Sequence, residues 1–199
     1  MNESNTALLL IGFQNDYFHP EGILNGVFED KGQLDTAVTS LRELLATFMQ
    51  KDMLVVSTPI QFTEGYTELD EPIGILQIIK ENGAFKQGSW GACSIDAIAD
   101  YGEQIRTLPG KRGLNCFSNT DVGELLQSRG IEHVVIAGAV TSLCIDTAGR
   151  EALDLGYKVT MLSDAILART PFEQSYYLEQ IMPLYSRVTS SAELISDLR

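Results

Sequence analysis

The sequence predicts an α/β protein, a three-layer α/β/α sandwich on a mostly parallel central sheet, and three observations carry the prediction. Short continuous apolar runs at 7–11 (ALLLI), 53–56 (MLVV) and 133–139 (HVVIAGA) read as strands buried on both faces. Amphipathic stretches lie between them: in 34–50, Leu34, Val38, Leu41, Leu45 and Phe48 recur on one helical face. Strand and helix also alternate along most of the chain, which is the signature of a parallel sheet with helices on both sides.

Strand 7–11, helix 34–50 and strand 53–56 form a first βαβ unit. The stretch 58–102 is the least regular, broken by Gly65, Gly74, Gly83, Gly88 and Gly91, and reads as a helix over 75–81 between loops that cover a pocket. A helix over 121–129 stops at Gly130, strand 133–139 follows, and a helix over 142–155 stops at Gly156. Strand 157–162 (YKVTML), helix 172–184, strand 186–189 and helix 190–198 complete the chain. Ligands of such sheets bind beyond the carboxyl ends of the strands.

With 199 residues, 44% hydrophobic and 21% charged, the chain has the make-up of one globular domain over 1–199. It has no apolar run of membrane-spanning length, and MNESNTA lacks the basic start of a signal peptide, so a cytoplasmic protein is expected. Three cysteines, Cys93, Cys116 and Cys144, are an odd number without metal-ligand spacing, which favours reduced thiols over a disulfide framework. A net charge of −13 repels nucleic acid and anionic membrane. The expected partner is a small-molecule substrate, with no nucleic acid and no membrane.

Cys144 is the most informative residue. It lies where strand 133–139 turns through Val140, Thr141 and Ser142 into a helix. Backbone N–H groups at such a turn face outward, and the helix dipole favours a thiolate. Burial as a small core residue is the alternative. Three segments meet at this sheet edge: 12–16 (GFQND), Lys111, and 138–144 (GAVTSLC). A lysine stabilises a neighbouring thiolate and a carboxylate such as Asp16 manages a proton, although an aspartate after asparagine also serves as a local turn former.

Taken together, ALLLIGFQNDYF (7–18), GSWGA (88–92), KRGLNCFSNTDVGELL (111–126), GAVTSLC (138–144), IDTAGREALDLGYKV (145–159) and LSDA (162–165) resemble the isochorismatase-like cysteine hydrolase superfamily over nearly the whole chain. The resemblance implies a Rossmann-like sandwich and an Asp-Lys-Cys triad, with the cysteine at Cys144 and the lysine at Lys111. It further implies a non-proline cis peptide at Ala139–Val140 and an oxyanion hole from the N–H groups of Val140 and Cys144. Dimers or tetramers are usual in that superfamily, which implies a homodimer or homotetramer. The run Tyr176-Tyr177-Leu178 with Ile181 and Met182 reads as interface or as core.

Two positions depart from the pattern. Gly12 stands where the family carries its first-strand aspartate, and glycine has no proton to give or take. Asp16 is the nearest replacement in sequence, with Glu21 and Glu64 weaker ones. The segment 57–70 (STPIQFTEGYTELD) has no histidine where nicotinamidases carry an Asp-x-His metal site, and His19 and His133 lack convergent spacing, so no metal and no cofactor are expected. Gly12, Gln14, Tyr17, Trp90 and Thr141 are the candidate pocket residues, beside the aromatic Phe13 and Phe117.

The resemblance implies that the Cys144 thiolate attacks an amide, ureido or imide-like carbon and that the resulting thioester is hydrolysed. Two alternatives stand beside this reading. One is isochorismatase-type vinyl-ether hydrolysis, in which the first-strand aspartate is the proton donor; the other is a catalytically silent ligand-binding homologue.

Overall fold

A computed structural model describes residues 2–198; Met1 and Arg199, the two ends of the expected domain, lie outside the described residues. Six strands form one sheet: β1 (Thr6–Ile11), β2 (Leu54–Thr58), β3 (Arg106–Thr107), β4 (His133–Ala139), β5 (Lys158–Leu167) and β6 (Arg187–Thr189). Their order is β3-β2-β1-β4-β5-β6 and every neighbouring pair is parallel. The chain builds outward from β1 through β2 to β3, then crosses back and builds the other half from β4. β1 and β4 therefore flank the switch point, where a crevice opens beyond the strands' carboxyl ends.

Side chains of β1 alternate between two cores. Leu8 and Leu10 pack with Leu34, Leu41, Leu45 and Phe48 of α2 (Lys31–Gln50) and with Leu194 of α8 (Ser191–Asp197). Ala7, Leu9 and Ile11 pack with Val122 and Leu126 of α5 (Val122–Ser128) and with Ala148 and Ala152 of α6 (Asp146–Asp154). Every β1 residue is buried, which is why the run reads apolar throughout. The remaining helices are α1 (Asn15–Phe18), α3 (Gly74–Asn82), α4 (Asp96–Ala99) and α7 (Pro171–Tyr176).

The differences from the sequence reading have local causes. β3 is an exposed two-residue edge strand with no apolar signal. β5 runs on to Leu167 rather than stopping at 162, because the polar Asp164 is accommodated by the N–H and hydroxyl of Ser191 (2.9 and 2.8 Å). The expected helix 172–184 is α7 followed by a wide π turn, Tyr177–Ile181, and a 3-10 turn, Met182–Leu184, that contains Pro183. Met182 is fully buried and so is core, whereas Tyr176 and Phe172 are exposed and stacked on each other. Among the described residues no helix is long and apolar enough to cross a membrane.

Candidate active site

β1 and β4 are in register from Thr6↔His133 to Ile11↔Gly138. A side chain at Gly138 would fall onto the Ile11 carbonyl, so glycine there lets the two strand ends close up. Gly12 follows β1 at φ +73°, and a Cβ there would lie 2.9 Å from the Ala139 carbonyl oxygen. The Ala139–Val140 peptide is cis. After it, Thr141–Ile145 forms a π-helical turn rather than the start of a regular helix, with the Val140 carbonyl accepting from Leu143 (3.0 Å) and Ile145 (3.2 Å). Among the described residues the Val140 N–H has no acceptor.

Cys144 lies in this turn, 6% exposed. The Lys111 ammonium, 1% exposed, is 3.5 Å from Sγ and donates to the Gly113 carbonyl at 2.5 Å. Among the described residues Lys111 has no carboxylate in ion-pair range. A buried ammonium is costly without polar partners, and here they are the Gly113 carbonyl and the sulfur. The other thiols differ: Cys116 is enclosed, and burial pushes it up to about 12, while Cys93 is exposed.

The turn is also held from a direction the sequence reading missed. Thr141 Oγ1 donates to Gln174 Oε1 (2.9 Å), and Gln174 Nε2 donates to the Ile166 carbonyl (2.9 Å). Ser142 Oγ donates to Glu173, whose other oxygen accepts from Arg169 Nε (3.0 Å). The first turn of α7 thus clamps the two residues after Val140. Its start was legible, since Thr170 caps the Glu173 N–H (3.1 Å) and Pro171 follows; its target was not.

A family model described as Isochorismatase domain matches residues 6–193. The chain belongs to the isochorismatase family. It is 26% identical to the ureidoacrylate amidohydrolase RutB of Stutzerimonas stutzeri (strain A1501), over 96% of this chain and 81% of that protein. Among solved structures it resembles a cysteine hydrolase from Pseudomonas syringae pv. phaseolicola 1448A (TM-score 0.85, 21% identity, 100% of this chain and 94% of that one). It also resembles the N-carbamoylsarcosine amidase of Thermoplasma acidophilum (TM-score 0.73, 23% identity, 94% and 96%).

Within this isochorismatase-family chain the remaining candidates separate by what their polar atoms touch. Asp16 accepts from the Phe85 N–H (2.6 Å) and the Ile23 N–H (3.3 Å), so its carboxylate ties two loops together. Gln14 is taken up by the backbone as well: Nε2 donates to Ile60 (3.0 Å) and Ala92 (2.8 Å), and Oε1 accepts from the Ile60 N–H (2.9 Å). Its amide faces the cover segment rather than open space, and the Thr141 hydroxyl likewise faces Gln174. Trp90 is 51% exposed, edge-on to His19, and borders a cavity of about 220 Å³ with Phe18, Arg42 and Asp96; neither Cys144 nor Lys111 lines that cavity. Glu21 and Glu64 are exposed. Phe13 is core against Phe18, and Phe117 is half-buried.

Tyr17 is buried, with its ring edge-on to Phe28 (5.5 Å) and Phe85 (4.8 Å). Among the described residues no three His, Cys, Asp or Glu side chains converge to hold a metal ion. His133 is bonded to Thr160 (2.8 Å), far along the sheet from His19 in its loop, so the residues present do not fit a metal centre.

Proposed function

We propose that the chain is a cysteine-dependent amidohydrolase that cleaves the C–N bond of a small, non-peptide amide or ureide through a thioester on Cys144, with no cofactor. Membership of the isochorismatase family and the amidohydrolases among its relatives support a hydrolase of C–N bonds. The observation that carries the cysteine mechanism is the buried Lys111–Cys144 contact at the sheet's switch point.

In the proposed reaction the Cys144 thiolate forms an S–C bond to the carbonyl carbon and the π pair moves onto oxygen. The N–H groups of Val140 and Cys144 hold that oxyanion. On collapse the C–N bond breaks, and the leaving nitrogen takes a proton from the Lys111 ammonium. Water then attacks the thioester, returns a proton to Lys111 and releases the acid. No carboxylate is needed for that balance, which suits a chain with glycine at position 12. The vinyl-ether reaction needs the first-strand aspartate as proton donor and is disfavoured for the same reason.

The test is hydrolysis of a panel of small amides and ureides by wild type and Cys144→Ala, with intact-mass analysis after rapid acid quench. The proposal expects product from wild type alone and an acyl adduct on Cys144. Wild type and Cys144→Ala indistinguishable on every compound would favour the silent homologue.

A further inference from the structure

The missing aspartate leaves a question that the residues around Gly12 answer. Of the run 14–17 (QNDY), the first three side chains are committed to backbone: Gln14 to Ile60 and Ala92, Asn15 to the Trp90 carbonyl (2.9 Å), Asp16 to Phe85 and Ile23. The Tyr17 hydroxyl is not. Among the described residues it makes no hydrogen bond, although the residue is only 4% exposed. Every enclosed side-chain oxygen and nitrogen among those residues has a partner, so the hydroxyl is not fully enclosed.

The Tyr17 ring lies beside the chain that leads into the nucleophile's turn. The point where a Cβ at residue 12 would stand lies 3.7 Å from Tyr17 Cδ2 and 2.9 Å from the carbonyl of Ala139, the residue before Val140. The Tyr17 ring therefore borders the volume that an aspartate side chain would enter. Phe28 and Phe85 fix the ring, and Asp16, bonded to the Phe85 N–H, fixes the short helix that carries it. Burial first, then the charges of Cys144 and Asp16, raise the phenol above its ordinary range, so it keeps its proton and acts as a donor.

We propose that the Tyr17 hydroxyl is the substrate-facing group that takes the place of the missing aspartate, donating a hydrogen bond to the carbonyl or ureido group under attack at Cys144. It rests on the amidohydrolase reading for its substrate, but the contact itself does not require turnover. A carboxylate at residue 12 would only accept; a phenol that keeps its proton presents a donor, so this site selects a substrate with an acceptor atom there. No proton leaves Tyr17 in the cycle.

The experiment compares two reagents on Cys144, read by peptide-resolved mass spectrometry in a Cys93→Ser background. Iodoacetamide carries an amide carbonyl, whereas iodoethane alkylates sulfur by the same substitution and has no oxygen or nitrogen to accept a hydrogen bond. Tyr17→Phe removes one oxygen and keeps both ring contacts. The proposal expects Tyr17→Phe to lower the iodoacetamide rate about tenfold relative to the iodoethane rate, and kcat/KM on any hydrolysed amide by about 10- to 100-fold. An unchanged ratio overturns it, and so does a wild-type Cys144 that neither reagent labels. If the ratio shifts while no amide or ureide is hydrolysed, the Tyr17 contact stands and the amidohydrolase reading falls.

Discussion

Restoring the absent carboxylate is the most direct perturbation of this site. If Gly12 were simply an aspartate lost from an otherwise ready place, Gly12→Asp would accelerate amide hydrolysis by the amount general acid–base help supplies, about 10²- to 10⁴-fold. The backbone predicts the opposite. Residue 12 sits at φ +73°, a region that costs a non-glycine residue about 1–2 kcal/mol, with aspartate among the better tolerated. Its Cβ would also meet the Ala139 carbonyl at 2.9 Å, and that atom is backbone with Val140 directly after it. For a chain of this size that strain lowers the thermal midpoint by about 2–8 °C. Hydrolysis falls as well, because the displaced carbonyl drags the Val140 N–H with it. Gly12→Ala separates the parts: it carries the same Cβ, so its loss of stability should match that of Gly12→Asp, and the difference in rate isolates the carboxylate. Melting curves and steady-state rates of the three proteins decide the matter. A Gly12→Asp protein as stable as wild type and a hundredfold faster would refute the reasoning.

Lys111→Met, which removes the ammonium 3.5 Å from Sγ, should slow iodoacetamide labelling of Cys144 at pH 7 by about tenfold or more, while labelling of the exposed Cys93 stays unchanged. Gln174→Ala leaves the Thr141 hydroxyl and the Ile166 carbonyl buried without partners, at about 1–3 kcal/mol; a lower melting point together with a fall in kcat larger than any change in KM would show that α7 positions the turn. His133 is pushed down to about 4 by burial and by the neighbouring Lys158 ammonium, so the unfolded chain binds more protons than the folded one between about 6.5 and that value. Wild-type stability should therefore be complete above pH 6.5 and decline as the pH falls toward 4, a decline that His133→Gln should reduce; equal pH profiles for the two proteins would remove His133 from the account.

The central strands were legible because β1 and β4 are buried on both faces and read as unbroken apolar runs. Where an element carries polar residues the pattern fails: β5 continues through Ser163 and Asp164 because distant partners accommodate them, the Thr189 carbonyl for Ser163 and Ser40 and Ser191 for Asp164. The site divides in the same way. Cys144 and Lys111 were visible through their motifs, since each motif is local. The tasks of Gln14 and Asp16 were not, because their partners at Ile60, Ala92 and Phe85 lie 46, 78 and 69 residues away and are backbone atoms that carry no residue-type signal. The α7 clamp was hidden for a related reason, as a Thr–Gln bond across 33 residues has no spacing rule to reveal it.

The fastening of the cover segment bears on how this chain can diversify. Gln14, Asn15 and Asp16 grip it at Ile60, Phe85, Trp90 and Ala92, and every grip is on a main-chain N–H or carbonyl. Such an attachment is blind to the side chains of the segment it holds. Exposed residues between these points are free to vary in size and polarity while the path of the backbone persists, so selection can change the surface of the segment without dismantling the frame beneath it. A library randomised at exposed positions between 63 and 90, glycines excepted, should yield folded members in far greater proportion than one randomised over 14–16.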